Sequence, residues 1–326
     1  MARTMIAILC VLLGALVWSP ISYSDEPTTR PAQKRGEVSR RPGMLMSFNE
    51  VLALKVATPT ARIAYGEGPQ QFGELRVPEG KGPYPVVVLI HGGCWLAEVA
   101  DLTYFSPMAE ALTKKGVATW NIEYRRIGDA GGGWPRTFLD VGRATDHLRT
   151  IAKQYSLDLD RVVVAGHSAG GHLALWVAAR HRLGKDSAIR VDNPLRVAGA
   201  VNLSGPGDLV TFGADPKHAC GEDTIRRLLG GAPKEVPDRY RDASPTKLLP
   251  IGVPQVCISG ARDQAVPFGH GKAHAEAASK SGDSARYVEL PDAGHFEVVA
   301  PTSAAWARVE KEILAIGRDE NRVTGK

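Results

Sequence analysis

RVVVAGHSAGGHLALWVAAR occupies residues 161–180. Its first five residues form a short, β-branched, apolar run, which predicts a strand buried on both faces. From Ala169 onward, alanine and leucine predict a helix. The glycines of Gly166-His167-Ser168-Ala169-Gly170 lie at the junction, where a sharp strand-to-helix turn leaves no room for side chains. The pattern is typical of a nucleophile elbow and makes Ser168 the candidate nucleophile.

Outward from this junction, short β-branched runs alternate with longer amphipathic stretches. Such alternation predicts βαβ units and a mainly parallel sheet, which places the chain in the α/β class. We predict strands at 72–77, 86–90, 117–122, 161–165, 197–203, 255–259 and 286–290. We predict helices at 107–115, 137–155, 169–182, 270–280 and 303–316. Residues 205–250 break the rhythm with Gly- and Pro-rich turns, and there we expect one short helix, near 224–229, in an excursion over the sheet's carboxyl edge.

A second motif, His91-Gly92-Gly93-Cys94-Trp95, directly follows the predicted strand 86–90. Loops of this HGG type supply backbone N–H groups to a developing oxyanion. Such donors are fixed before the reaction, and each is worth around 3 to 4 kcal/mol of barrier. We expect the N–H groups of Gly92, Gly93 and Ala169 to form this oxyanion hole. A simple Gly-rich turn is the alternative, and His91 is expected to orient the loop rather than to act as a base.

A serine hydroxyl needs a base within hydrogen-bond reach, and an acid must orient that base. Asp263 follows the predicted strand 255–259, and His295 follows the predicted strand 286–290. Both would therefore emerge at the carboxyl edge of the sheet, where Ser168 also lies and where open α/β sheets bind ligands. Asp292 is the alternative acid, although it lies very near His295 in the sequence.

The sequence predicts neither a metal site nor a phosphate loop. His270 and His274 lie four residues apart on a predicted helix, a spacing that a metal ion accepts, but we expect a solvated helix face. No CxxC pair is present, which argues against cysteine-ligated zinc. The Gly-rich cluster 128–133 lacks a following Gly-Lys-Ser/Thr, so we expect it at the rim of the site.

The N-terminal residues predict export. Arg3 precedes an apolar run at 5–18 that is too short to span a membrane, and small residues follow up to Ser24. We predict a secretory signal peptide at 1–24, cleaved after Ser24, with an uncleaved anchor as the alternative. Residues 25–44 are rich in proline and basic residues and predict a flexible linker, which leaves 45–326 as a single domain. The protein would be secreted or periplasmic.

Composition excludes several classes of protein. The chain has 326 residues, of which 44% are hydrophobic and 23% charged, so it is neither disordered nor a disulfide scaffold. A net charge of +5, spread along the chain, does not form the basic patch that is typical of nucleic-acid-binding proteins. Without the leader, three cysteines remain. We consider only the pair Cys220 and Cys257, because Cys94 lies within the HGG motif.

Together, the two glycine motifs, Asp263 and His295 resemble the α/β-hydrolase superfamily. The chain is similar to its esterase and arylformamidase branch, which carries HGGxW and GHSAGG, over about residues 72–316. The resemblance implies an eight-stranded, mostly parallel sheet with helices on both faces, no cofactor, and hydrolysis through an acyl-enzyme. By motif match, Ser168 would be the nucleophile, His295 the base and then the acid, and Asp263 the group that orients His295.

We therefore expect a carboxylic-ester hydrolase that acts on small or polysaccharide-linked esters. No nucleic acid and no stable membrane span are expected, and the oligomeric state is left open. Candidate pocket walls are Trp95, Leu96, Trp134 and Pro206, which packing roles would explain equally well. An arylformamidase fits the motifs equally well, although its reaction would be expected inside the cell. Less favoured alternatives are a peptidase of the same fold and a catalytically silent fold used for binding.

Overall fold

An eight-stranded sheet organises residues 43–316, which are the residues that the computed structural model describes. The predicted leader and all but the last two residues of the predicted linker lie outside the described residues. The strands are β1 (Ala61–Ala64), β2 (Phe72–Arg76), β3 (Tyr84–Ile90), β4 (Ala118–Ile122), β5 (Leu157–His167), β6 (Gly199–Leu203), β7 (Gln255–Gly260) and β8 (Ala285–Leu290). Their order is β1-β2-β4-β3-β5-β6-β7-β8, and all neighbours are parallel except the pairs β1–β2 and β2–β4.

The helices are α1 (Phe48–Leu52), α2 (Ser106–Thr113), α3 (Arg136–Asp146), α4 (Leu148–Tyr155), α5 (Ala169–Ala179), α6 (Leu209–Ala214), α7 (Thr224–Leu229), α8 (Pro237–Ala243), α9 (Gly269–Lys280) and α10 (Trp306–Ile316). Short 3₁₀ turns lie at Leu102–Phe105, Arg180–Arg182 and Pro245–Leu248. This is the α/β-hydrolase fold. Among the described helices, none has the length and apolar character that a bilayer crossing requires.

The central strands are apolar on both faces because helices cover the sheet on both sides. In β3, Val86, Val88 and Ile90 enter one core cluster, whereas Val87 and Leu89 enter the other. Residues of β5 divide between the two clusters in the same alternating way. The carboxyl ends of these strands therefore form one rigid edge, from which the loops of the site emerge.

The predicted helix 137–155 is divided into α3 and α4 at His147. The indole N–H of Trp120 donates to the Ala144 carbonyl at 2.9 Å. That carbonyl is the one a continuous helix would offer to the N–H of Leu148. The chain tightens instead, and Thr150 N–H bonds to the carbonyl of His147 at 2.9 Å. The break in the helix therefore coincides with the carbonyl to which Trp120, on a neighbouring strand, donates.

Four short elements, β1, α1, α6 and α8, have no counterpart in the prediction. β1 is a four-residue edge strand in which partly buried and exposed residues alternate, so it carries little apolar signal. α1 is capped by Ser47 and Glu50 but has five residues. Residues 205–250 contain α6, α7 and α8, whereas the sequence predicted only the helix that is α7.

Candidate active site

Ser168 lies between β5 and α5 with φ of 56° and ψ of −121°, a strained conformation for a residue with a side chain. Its N–H donates to the Leu203 carbonyl at the end of β6, at 2.8 Å. A Cβ on Gly166 would come within 2.0 Å of the Gly170 carbonyl oxygen, and one on Gly170 within 2.0 Å of the Ile90 oxygen. These close approaches explain both glycines of the elbow. Ser168 is 4% exposed and stands at the N-terminus of α5, where the helix dipole favours negative charge.

His91 begins the HGG loop and is held by a buried carboxylate. Its Nε2 lies 2.8 Å from Oε1 of Glu123, and the second oxygen of Glu123 accepts the Leu102 N–H at 3.1 Å. Burial by itself would raise the pKa of Glu123, but His91 and Arg126 outweigh it and hold that pKa below its usual range. The carboxylate therefore stays ionised and fixes His91. This geometry matches the expected role of His91 in orienting the loop.

The loop continues in a tight left-handed turn. Cys94 and Trp95 have φ of 54° and 56°, and the N–H of Leu96 bonds to the Gly93 carbonyl at 2.9 Å. Two successive residues with positive φ make a type I′ turn, which neither cysteine nor tryptophan favours. The turn must therefore be held by its surroundings.

One predicted donor of the oxyanion hole is already engaged. The Gly92 N–H donates to the hydroxyl of Tyr104 at 2.5 Å, so Gly92 is not free to bind an oxyanion. Within the described residues, the N–H groups of Gly93, Cys94 and Ala169 have no acceptor. Gly92 is still required in the loop, because a Cβ there would lie 2.9 Å from the Cβ of Ser168. Of the three predicted donors, Gly93 and Ala169 are therefore unengaged, whereas Gly92 is not.

Asp263 and His295 meet after β7 and β8. Oδ2 of Asp263 lies 2.7 Å from Nδ1 of His295, and Oδ1 accepts the N–H groups of Ala265 and Val266 at 2.8 and 2.9 Å. Burial would raise the pKa of Asp263, but the bond to His295 and these N–H groups outweigh it and lower that pKa. Asp263 is therefore a fixed, ionised acceptor. Asp292, the alternative acid, is exposed.

His295 also packs against the elbow. Its ring centroid lies 4.3 Å from that of His167, the neighbour of Ser168, and its backbone carbonyl is 2.9 Å from Nε2 of His167. No hydrogen bond joins the Ser168 hydroxyl to the His295 imidazole in the described part of the chain. Such contacts are often long without substrate and tighten in the reacting complex.

Sequence reasoning missed two groups that hold these loops. Tyr104, from the turn before α2, contacts the HGG loop, and Glu297 supports the His295 loop by accepting the N–H of Gly294 at 2.9 Å. Glu297 also accepts the Met46 N–H, so the segment before α1 is joined to this loop. For Glu297, its place two residues after His295 was an available signal. For Tyr104 the sequence offers none.

The candidate pocket walls differ in exposure. Trp95 has no exposed surface and packs edge-on against His172, so it is a core residue rather than an open wall. Leu96 and Pro206 are also buried. Trp134 is partly exposed, and the Arg239 guanidinium lies 5.9 Å from its ring centroid. Of the four, Trp134 is the side chain that offers surface to solvent.

The one cysteine pair that the sequence analysis considered, Cys220 with Cys257, is not formed. Cys94 is disulfide-bonded to Cys220, whereas Cys257 is a buried free thiol within β7. Burial raises the pKa of Cys257 to about 12. Residues 205–250 fold back so that the N–H of Ala219 meets the Ala265 carbonyl at 2.9 Å, and Cys220 is thereby brought to the HGG loop. Sequence distance gave no hint of this return.

The solvated face expected for His270 and His274 is also wrong in part. His274 is 1% exposed and bonds Gln255 and Thr246, each at 2.8 Å. His270 pairs with Asp215 at 2.9 Å. Over residues 43–316, no group of three or more His, Cys, Asp or Glu side chains is arranged to hold a metal ion.

Comparisons with known proteins agree with this architecture. Residues 75–277 match the BD-FAE family, which is more than half of the chain. Esterase LipC of Mycobacterium tuberculosis is 28% identical over 245 residues, covering 72% of this chain and 59% of LipC. The chain thus spans about three fifths of that relative's length.

Two solved structures share the fold. A bifunctional GH43-CE protein of Bacteroides eggerthii is 25% identical with a TM-score of 0.65, over 78% of this chain and 37% of that one. A thermophilic esterase of the planctomycete Thermogutta terrifontis, bound to propionate, is 20% identical with a TM-score of 0.65, over 82% of this chain and 96% of that one. From the family match, the elbow and the sheet topology we conclude that the chain belongs to the BD-FAE family, in the esterase branch of the α/β-hydrolases.

Proposed function

We propose that the protein is a serine esterase that hydrolyses carboxylic esters through an acyl-enzyme. The observation that supports this most is the 2.7 Å contact between His295 and Asp263, beside a serine held in a strained elbow. Asp263 keeps the proton of His295 on Nδ1, which leaves Nε2 bare for the serine hydroxyl. Esterase names among the relatives also favour ester over formamide substrates.

In this mechanism, Nε2 of His295 takes the proton of Ser168 while Oγ attacks the ester carbonyl. The N–H groups of Gly93, Cys94 and Ala169 bind the oxyanion. Gly92, which the sequence predicted as a donor, is not among them. His295 then gives its proton to the departing alcohol. Water repeats the cycle on the acyl-enzyme and releases the acid.

The experiment is hydrolysis of p-nitrophenyl acetate by the purified protein and by Ser168→Ala. We expect the variant to lose on the order of a millionfold in kcat, as in other serine hydrolases. A fluorophosphonate probe should label Ser168 in the wild-type protein and nothing in the variant. Parental activity in Ser168→Ala, or an unlabelled Ser168, would refute the proposal.

For the substrate, we propose short acyl groups, carried on small alcohols or on saccharides. Ser168 is only 4% exposed, and such burial favours a short acyl group over a long chain. The Thermogutta esterase with bound propionate and the GH43-CE protein are consistent with this class. A panel of nitrophenyl esters should show the highest kcat/KM at two to four acyl carbons. A preference for N-formylkynurenine would instead indicate an arylformamidase.

We also propose that the protein acts outside the cytoplasm, after cleavage following Ser24. The disulfide between Cys94 and Cys220 supports export, because disulfides persist in oxidising compartments. N-terminal sequencing of the protein recovered from the producing cells should begin at Asp25. An intact N-terminus on cytoplasmic protein would contradict this localisation.

A further inference from the structure

Three hydrogen bonds run in series from the HGG loop to the His295 loop. The Gly92 N–H meets the Tyr104 hydroxyl at 2.5 Å. That hydroxyl lies 3.0 Å from Nδ1 of His167, and Nε2 of His167 lies 2.9 Å from the His295 carbonyl oxygen. We refer to these four groups as the buried chain. Gly92 and His167 belong to the two glycine motifs and His295 to the proposed triad, but the sequence assigns no role to the hydrogen bonds that join them.

The partners determine the direction of every bond. A backbone carbonyl only accepts, so Nε2 of His167 must carry a proton toward His295. In a neutral imidazole Nδ1 is then bare, and it accepts the O–H of Tyr104. The Tyr104 oxygen in turn accepts the Gly92 N–H, which can only donate. The buried chain is therefore satisfied in one arrangement and needs no water.

Burial makes this arrangement costly to break. Tyr104 and His167 are each 1% exposed. Burial lowers the pKa of His167 well below its usual range and raises that of Tyr104, so both stay neutral at physiological pH. Hydrogen bonds in such surroundings are strong, and a buried group that loses its partner pays its full desolvation cost.

We propose that Tyr104 and His167 are positioning residues that fix the oxyanion loop relative to the His295 loop. This inference rests on the proposed esterase function. The two loops leave the ends of β3 and β8, and the buried chain joins them through His167, the residue before Ser168. In acyl transfer, a misplacement of about 1 Å can cost roughly a hundredfold in rate. The HGG loop carries the proposed oxyanion donors and the His295 loop carries the proposed base. The buried chain therefore fixes the distance between two groups that must act on the same substrate.

Tyr104→Phe tests the proposal because it removes one oxygen and leaves the ring. The matched control is Tyr240→Phe, which deletes the hydroxyl of another buried tyrosine, donating at 3.2 Å to the Gly231 carbonyl outside the buried chain. With p-nitrophenyl acetate we expect Tyr104→Phe to lose 10- to 100-fold in kcat with KM within twofold. Tyr240→Phe should keep its kcat, although we expect both variants to have a lower melting temperature than the wild type. Equal kcat values for the two variants would overturn the proposal.

His167→Gln provides a second test if Tyr104→Phe folds poorly. The glutamine amide can still donate to the His295 carbonyl, but its acceptor oxygen lies at the end of the side chain and does not occupy the position of Nδ1 beside Tyr104. Both variants break the same link, so the double variant should lose little more kcat than either single variant. Losses that multiply would mean that the two residues act independently, and the proposal would fail.

The experiments distinguish a failure of this inference from a failure of the proposed esterase function. If wild-type Ser168 is not labelled by a fluorophosphonate, the esterase function and this inference both fall. If Ser168 is labelled and Tyr104→Phe retains the wild-type kcat, only the inference falls. Labelling of Tyr104→Phe at a rate reduced in parallel with kcat would support both.

Discussion

Cys94 and Cys220, 126 residues apart, join the left-handed turn of the HGG loop to residues 205–250. Closing a loop of this length in the unfolded chain corresponds to about 5 kcal/mol of stability in the chain-entropy description. The same bond holds a cysteine at a φ of 54°, which side chains disfavour. The disulfide therefore stabilises the fold and constrains the turn in which the N–H groups of Gly93 and Cys94 have no acceptor among the described residues.

We expect the double variant Cys94→Ser/Cys220→Ser to unfold at a markedly lower temperature than the wild type. Calorimetry with and without dithiothreitol measures this loss. The reductant should lower the melting temperature of the wild type and of Cys257→Ala, which retains the bond, and leave the double variant unchanged. If the wild type is insensitive to reduction, the disulfide contributes nothing to stability.

Asp263→Asn should lower kcat by on the order of 10⁴ with little change in KM, because an amide no longer holds the required tautomer of His295. Asp292→Asn, at an exposed carboxylate on the His295 loop, is the control, and its kcat should stay within twofold of the wild-type value. Steady-state kinetics on both variants decide between the two candidate acids. A large loss at Asp292 alone would reverse the assignment.

Asp263 also makes the stability of the protein depend on pH in acid. Its folded-state pKa lies below the ordinary value of 3.8, so its contribution is present above pH 3.8 and is lost as the pH falls through the folded value. We expect the wild type to lose stability in this range more steeply than Asp263→Asn. Melting curves between pH 2 and 5 test this, and parallel curves would contradict it.

Two buried histidines predict a second pH dependence. Burial lowers the pKa of His172 and of His274 from 6.5 to about 4. Between these values the unfolded chain binds more protons than the folded one, so stability falls as the pH is lowered from 6.5 to 4. Each histidine therefore lowers the free energy of unfolding by roughly 3 kcal/mol as the pH falls across this range. His274→Gln should flatten the dependence, whereas an unchanged slope in urea unfolding would refute the assignment.

Glu297→Ala removes the acceptor of two backbone N–H groups, those of Met46 and Gly294. Charged hydrogen bonds of this kind are worth roughly 2 kcal/mol each, so we expect a loss of about 4 kcal/mol in the free energy of unfolding. Because Gly294 precedes His295, kcat should also fall. Glu297→Gln keeps one acceptor oxygen and should recover part of both losses. Full stability in the alanine variant would show that the loop is held by other contacts.

The strands and the elbow were predictable from sequence because their signals are local. β3 and β5 are apolar on both faces, and Gly166 and Gly170 leave no alternative to a tight turn. The predicted carboxyl-edge placement of Asp263 and His295 follows from strand order in the same way. These features depend on periodicity and on parallel topology, both of which a sequence contains.

Features that depend on contacts between distant elements were not predictable. The break after α3 lies at a carbonyl bonded by Trp120, and the pairing of Cys94 depends on the return of residues 205–250. The engagement of Gly92 depends on Tyr104, which lies outside every motif. In each case a side chain from a distant element bonds to a backbone group or a sulfur for which the local sequence predicted a different partner.

Helix α5, which follows Ser168, is buried along its whole length. Amide protons of such a helix can reach solvent only when the sheet and its covering helices separate. Exchange with deuterium at Leu173 to Val177 will therefore report the free energy of global unfolding, and the elbow serine will keep its backbone geometry through every smaller fluctuation of the loops above it.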